Sequence, residues 1–191
     1  MEFRSYPVLH PWHSLDVGEN APELVNGLIE IPQGSKVKYE LDKKSGLIVV
    51  DRILYGSYTY PANYGFIPQS YCEDGDPLDI VVISQEAFYP RSIVECRVVG
   101  AMGMIDEGEP DDKILAVYPG DPLYRDVKDI SDLAETKLAE IKQFFVVYKN
   151  LEKKIVEVKD FVGKKEAQEL VTISLELYKE KAEELRAKDI Q

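Results

Sequence analysis

Asp74-Gly75-Asp76-Pro77-Leu78-Asp79-Ile80 sets three carboxylates within seven residues, on a loop that runs directly into Asp79-Ile80-Val81-Val82-Ile83-Ser84. Like charges this close repel one another. Divalent cations relieve that repulsion, and hard cations such as Mg²⁺ prefer oxygen ligands. Pro77 fixes its own φ and turns Asp76 toward extended backbone, so Asp74 and Asp76 are expected to point in similar directions. The apolar run opened by Asp79 reads as a buried strand, giving a metal loop on a rigid support. An EF-hand does not fit, because Leu78 and Asp79 stand where that loop needs a fifth-position oxygen ligand and a sixth-position glycine. A solvated acidic turn is the competing reading, since Asp, Gly and Pro are ordinary turn residues. The seven residues alone leave both open.

A second segment, Asp106-Glu107-Gly108-Glu109-Pro110-Asp111-Asp112-Lys113, repeats the theme between two apparent strands. Two carboxylate loops on one sheet suit a pair of adjacent metal ions, as used for in-line phosphoryl displacement. Two unrelated turns in an acidic chain would look the same. Lys38, Arg52, Lys113 and Lys149 accompany these acids. Such mixtures form surface ion pairs of little worth, or hold a polyanion between metals and basic side chains, with Arg offering a fork and Lys a point charge. Tyr55, Tyr58, Tyr60, Tyr64 and Phe66 read by default as core and rim, with hydroxyls available to phosphate or water. His10-Pro11-Trp12-His13 invites a metal reading too, but without Cys/His partners elsewhere, packing or hydrogen bonding in an N-terminal arm is preferred.

The elements that must position these groups follow from pattern. Residues 1–22 read as an arm over the core. Strands are expected at 28–31, 37–41, 47–54, 80–84, 92–99 and 113–117, with Asp42 to Gly46 as a turn. Val37, Tyr39 and Leu41 alternate with Lys36, Lys38 and Glu40, so the charged residues share one face. A hairpin closing symmetrically about Lys44 pairs Lys38 near Val50 and Lys36 near Arg52, and puts Arg52 on the face of Lys38; a one-residue slip reverses this. Ala134, Leu138, Ile141, Phe145 and Tyr148 form a helical stripe. A second helix is predicted from about 164 to 187, with Ala167, Leu170, Val171, Leu177 and Tyr178 inward, and a short strand at 155–158 between the two helices. Strands first and helices later give a β-rich α+β domain around a compact sheet or barrel. The whole of 1–191 reads as one domain: arm 1–22, mainly β 24–117, helical 131–187.

The 191 residues are 45% hydrophobic and 30% charged, with net charge −12 from 35 acidic and 23 basic residues. That balance disfavours nucleic acid or an anionic membrane as partner. No secretory signal is visible at the N-terminus, and no stretch reaches transmembrane length. Cys72 and Cys96 are expected to be reduced thiols in a cytoplasmic protein, and neither suits magnesium.

Taken in order, these motifs resemble the soluble inorganic pyrophosphatases of family I. The likeness runs from about Ile29 to Lys149: Ile29-Glu30-Ile31-Pro32, Val37-Lys38-Tyr39-Glu40, Val50-Asp51-Arg52, Tyr60-Pro61-Ala62-Asn63-Tyr64-Gly65, the Asp74–Ile80 loop, the 106–113 loop, Phe144-Phe145 and Tyr148-Lys149. His10-Pro11-Trp12-His13 is similar to the plant-like branch. Beyond about Val162 the resemblance constrains little.

The resemblance implies a five-stranded OB-like β-barrel with two or more packed helices, and Mg²⁺-dependent hydrolysis of pyrophosphate to two phosphates, with Mn²⁺ or Zn²⁺ as substitutes. Carried across by position, Asp74, Asp79 and Asp111 would ligate a first ion, with Asp79 touching a second. Asp106 and Asp111 would serve a site filled with substrate, assisted through water by Glu30. Asp76 would be the general base, with Tyr64 counted beside it among the catalytic groups. Lys38, Arg52, Lys113, Tyr148 and Lys149 would hold phosphate oxygens; Glu40, Tyr60 and Tyr64 would line the cavity and orient waters. A homo-oligomer is also implied, a hexamer being one form it allows. The alternatives are a metal-dependent phosphohydrolase acting on nucleotides or another diphosphate, an OB-type oligonucleotide-binding module and a non-catalytic metal buffer. No Gly-rich phosphate loop supports the first, and the acidic loops oppose the second. The cation set and Asp76 count against the third.

Overall fold

Strand β1 (Leu24–Ile31) is the seam at which the sheet closes on itself. It pairs antiparallel with β4 (Asn63–Phe66) on one side and with β6 (Ile93–Asp106) on the other. From β4 the order runs through β5 (Asp79–Ile83) and β8 (Lys113–Val117) back to β6, so five strands form a ring. A closed ring has no free edge to pair with another chain. This is the OB-like barrel expected above, here seen in a computed structural model that describes residues 9–189. β7 (Glu109–Pro110) and β9 (Val156–Gly163) extend β6 beyond the ring. Among the described residues no helix is long and apolar enough to cross a membrane.

The chain packs both faces of the central strands. Val81 and Ile83 of β5, with Leu115 and Val117 of β8, join a core completed by Ile141, Phe144 and Phe145 of α2 (Glu135–Val147). Their alternates Ile80, Val82, Ile114 and Ala116 join a second core with Ala167 and Val171 of α3 (Lys164–Asp189). That two-sided burial is why these strands read as continuous apolar runs. The inward face of α3 is Ala167, Val171, Ser174, Tyr178, Leu185 and Asp189. Leu170 and Leu177 are only half-buried. Ala134 is the exposed N-cap of α2, outside the buried stripe.

Two expectations change. The hairpin of β2 (Val37–Asp42) and β3 (Leu47–Ile53) forms a separate two-stranded sheet outside the ring. Its register also slips: Asp42 faces Leu47 and Tyr39 faces Val50, one residue from the symmetric closure. Alone, that slip would turn Arg52 away from Lys38. A bulge between Lys38 and Tyr39 adds a second shift and sets Lys38 directly opposite Arg52. The strand β4 was hidden in the aromatic run. Gly65 at its centre faces Ile29, and a Cβ there would lie 1.8 Å from the Leu28 carbonyl oxygen, so only glycine lets β1 and β4 meet.

Candidate active site

One polar cavity of about 840 Å³ opens where the strand ends, the hairpin and α2 converge. Its walls carry Glu30 from β1, Lys38 and Glu40 from β2, Tyr60 and Tyr64 at β4, and Asp74, Asp76 and Asp79 from the first acidic loop. They also carry Asp106, Asp111 and Lys113 from the second loop, and Tyr148 and Lys149 from the end of α2. The parallel pairing of β5 with β8 brings the two loops together, because it sets Asp79 opposite Lys113. Of the residues expected at the site, Arg52 alone is not part of the wall. It stands opposite Lys38 in the hairpin, held by Asp51 and by Glu152, at 3.0 Å from its Nε, and its Nη2 is buried without a partner.

Lysines lie between the carboxylates. Lys113, 2% exposed, donates to Asp79 Oδ2 at 2.5 Å and also to Asp111. Lys149 pairs with Asp106, Lys43 with Asp76 and Lys38 with Glu40. Among the described residues no three acidic, His or Cys groups converge tightly enough to hold an ion between them. The lysines do not balance the charge, however. Burial, reinforced by Asp79, pushes Glu30 up to about 8, even though its Oε1 accepts from Leu41 N at 2.7 Å. Burial, which Lys113 only partly offsets and to which the Asp79 and Asp74 charges add, raises Asp111 to about 7. Burial also raises Asp74, and the Asp76 charge adds to that. Asp106 Oδ1 is buried with no partner. Burial works against the Lys113 ammonium, but Asp79 and Asp111 override it and move its pKa up. An all-oxygen donor set with excess negative charge and an orphaned carboxylate oxygen fits hard divalent cations.

The aromatic wall is apolar support rather than acid chemistry. Burial raises the phenols of Tyr60, Tyr64 and Tyr148 well above their ordinary range, so all three remain hydroxyl donors. Tyr60 packs 4.8 Å from Phe144, and Phe144 stacks on Tyr148 at 5.1 Å. The stripe of α2 thus holds the cavity floor.

The family model for inorganic pyrophosphatase matches residues 27–179. The chain belongs to the inorganic pyrophosphatase family. Soluble inorganic pyrophosphatase 2 of Chlamydomonas reinhardtii is 52% identical over 180 residues, covering 94% of each chain. Soluble inorganic pyrophosphatase 1 of Arabidopsis thaliana is 52% identical over 171 residues, 90% of this chain and 81% of that protein. The inorganic pyrophosphatase structure from Thermus thermophilus superposes with a TM-score of 0.85 at 42% identity, over 88% of this chain and 99% of that one. The plant-type likeness of the arm and the barrel expected for an inorganic pyrophosphatase both agree with these matches.

Among the side chains lining this pyrophosphatase cavity that were not assigned to it from sequence, two bear on the acidic loop. They are Lys43, from the hairpin turn, and Trp12, from α1 (Pro11–Ser14). Neither lies in an acidic loop; the hairpin turn brings Lys43 there and the folded arm brings Trp12. Nor do His10 and His13 form a metal pair. His13 contacts the Tyr178 hydroxyl at 2.8 Å and Asp189 at 3.2 Å, and His10 Nε2 lies 2.6 Å from the Lys43 carbonyl oxygen. The packing reading of the arm holds for both. The two cysteines are free thiols; Cys96 is buried in the core, where burial raises its pKa.

Proposed function

We propose that this chain hydrolyses inorganic pyrophosphate to two orthophosphates, using divalent metal ions held by its two acidic loops. The observation that carries the reading is the convergence of both loops with Lys38, Lys113 and Lys149 in one cavity. Asp74, Asp79 and Asp111 are the residues we assign to the first ions, Asp79 being shared, and Asp106, Asp111 and Glu30 to the ion that arrives with substrate. Bound Mg²⁺ would neutralise charge on the transferring phosphoryl group and ease ionisation of the attacking water. Each remaining step falls to the chain.

Asp76 accepts the proton as the water oxygen bonds to phosphorus and the bridging P–O bond breaks. Its carboxylate is exposed toward the cavity, where it can reach that water. Lys38, Lys113 and Lys149, with the hydroxyl of Tyr148, hold phosphate oxygens and stabilise the departing group in place of bulk water. Arg52, opposite Lys38 in the hairpin and with one guanidinium nitrogen unpartnered, is assigned to the same task. Tyr60, Tyr64 and Glu40 orient waters. The same reading gives a single-domain, homo-oligomeric, cytoplasmic enzyme, which sedimentation and cell fractionation would check.

The test is phosphate release from pyrophosphate by purified protein with Mg²⁺, repeated in excess EDTA and with ATP as control. Fast, EDTA-sensitive release from pyrophosphate with ATP nearly untouched is the expected result. Release from ATP alone would move the protein to the nucleotide-hydrolase reading, and activity on neither would favour a binding module.

A further inference from the structure

Asp76 sits on an open loop. Its side chain is 57% exposed, and its neighbour Gly75 takes φ of 91°, a turn conformation that suits glycine. A carboxylate so placed has several rotamers open to it, and a general base works only from one orientation. The acidic loop itself supplies little restraint: Asp76 N donates to Asp74 Oδ1 at 3.0 Å, which fixes the backbone and not the carboxylate.

Lys43 supplies the missing restraint. Its ammonium pairs with the Asp76 carboxylate and donates to the Gly75 carbonyl at 3.0 Å, so it grips both side chain and backbone of the loop. It comes from the β2–β3 turn, and two residues of the N-terminal arm hold it from behind. His10 Nε2–H donates to the Lys43 carbonyl at 2.6 Å, a bond that requires the Nε2-protonated ring because a carbonyl only accepts. The Trp12 ring lies 5.5 Å beneath the ammonium.

The arm is in turn anchored. Trp12 Nε1 donates to the Ser70 carbonyl at 2.8 Å, and Gln69 N donates to the Trp12 carbonyl at 2.9 Å, on the segment that leads into the acidic loop. His13 joins it to Tyr178 and Asp189 of α3. The arm thus meets the C-terminal helix at His13 and meets Lys43 through His10 and Trp12.

We propose that Lys43 is a positioning residue for hydrolysis, held by His10 and Trp12, and that its task is to fix Asp76 in the orientation from which it takes the proton. This rests on Asp76 being the general base. The test compares wild type, Lys43→Met, Asp76→Asn and the double variant in pyrophosphate hydrolysis at saturating Mg²⁺, with thermal unfolding of each.

Lys43→Met is expected to lower kcat on the order of 10-fold to 10²-fold with KM nearly unchanged, and to cost nothing further in the Asp76→Asn background. Lys43→Arg should recover most of the rate. His10→Ala leaves the ammonium in place and removes the bond to the Lys43 backbone together with the stacking on His13; its smaller kcat loss should likewise vanish in Asp76→Asn. Equal losses in both backgrounds would overturn the proposal, as would a raised KM with unchanged kcat, which marks a substrate-binding charge. Normal turnover in Asp76→Asn overturns the general-base reading and the proposal with it, so the two failures are distinct.

Discussion

The molecule treats buried titratable groups differently in two places, around His13 and in the cavity. Where the arm meets α3, His13 has a partner on each ring nitrogen, Tyr178 and Asp189, and stacks on Trp12 at 4.7 Å and on His10 at 4.5 Å, the Nδ1 of His10 being buried without a partner. In the cavity, acids outnumber the lysines that reach them, Glu30 and Asp111 are pushed toward neutrality, and one oxygen of Asp106 has no partner. A histidine partnered on both ring nitrogens holds chain segments together; crowded carboxylates short of partners are poised for a cation. The difference separates a clamp that stabilises the fold from a site that needs cations to complete it.

Removing a cavity acid should therefore harm activity far more than folding. Asp79→Asn takes away a carboxylate that Lys113 shares with Asp111. We expect turnover to fall by at least about 10²-fold, and the thermal stabilisation that Mg²⁺ confers on wild type to shrink, while metal-free unfolding changes little. A full Mg²⁺ shift in the variant would place the ions elsewhere. In the clamp the pattern should invert. His13→Phe leaves Asp189 and the Tyr178 hydroxyl buried without their partner, at a cost of about 1–3 kcal/mol by chemical denaturation. Its Mg²⁺ shift should survive; loss of that shift would join the two regions into one.

The clamp also predicts a pH dependence. Burial holds the His13 pKa below its ordinary 6.5, with Asp189 only partly opposing. The folded state then binds a proton less readily than the unfolded chain, so the contribution of His13 to stability is intact above about 6.5 and is lost as pH falls toward the depressed value. Denaturation midpoints between pH 7.5 and 5.5, about one unit on either side of the ordinary histidine value, should decline more steeply for wild type than for His13→Phe. Parallel slopes would remove His13 as the cause. The smallest effect belongs to the surface pair Lys154–Glu107, 2.9 Å apart and exposed on both sides. Lys154→Ala should leave stability and turnover within experimental scatter.

Much of this site was legible because its chemistry is local in sequence. Asp74, Asp76 and Asp79 lie within six residues, and β5 begins at Asp79 itself, so loop and support could be read together. The unbroken apolar runs of β5 and β8 reported burial but not their parallel pairing, which depends on closure of the ring. The Asn63–Phe66 strand was masked because its short run is aromatic and broken by Gly65, whose need appears only when β1 lies against it. The face shared by Lys38 and Arg52 came out as the symmetric hairpin suggested, by another route: a closure slip undone by a bulge. Lys43 and Trp12 escaped notice because their contacts join segments more than thirty residues apart, from His10–Trp12 to Lys43 and from Lys43 to Gly75.

The most direct test of the central claim is Asp76→Asn, assayed for phosphate release from pyrophosphate while Mg²⁺ binding is followed by its thermal shift on the same protein. If the cavity works as described, turnover falls by about 10²- to 10⁴-fold while the Mg²⁺ shift stays near the wild-type value, since proton transfer is lost and the ion-holding acids are intact. Turnover at the wild-type rate would contradict the account.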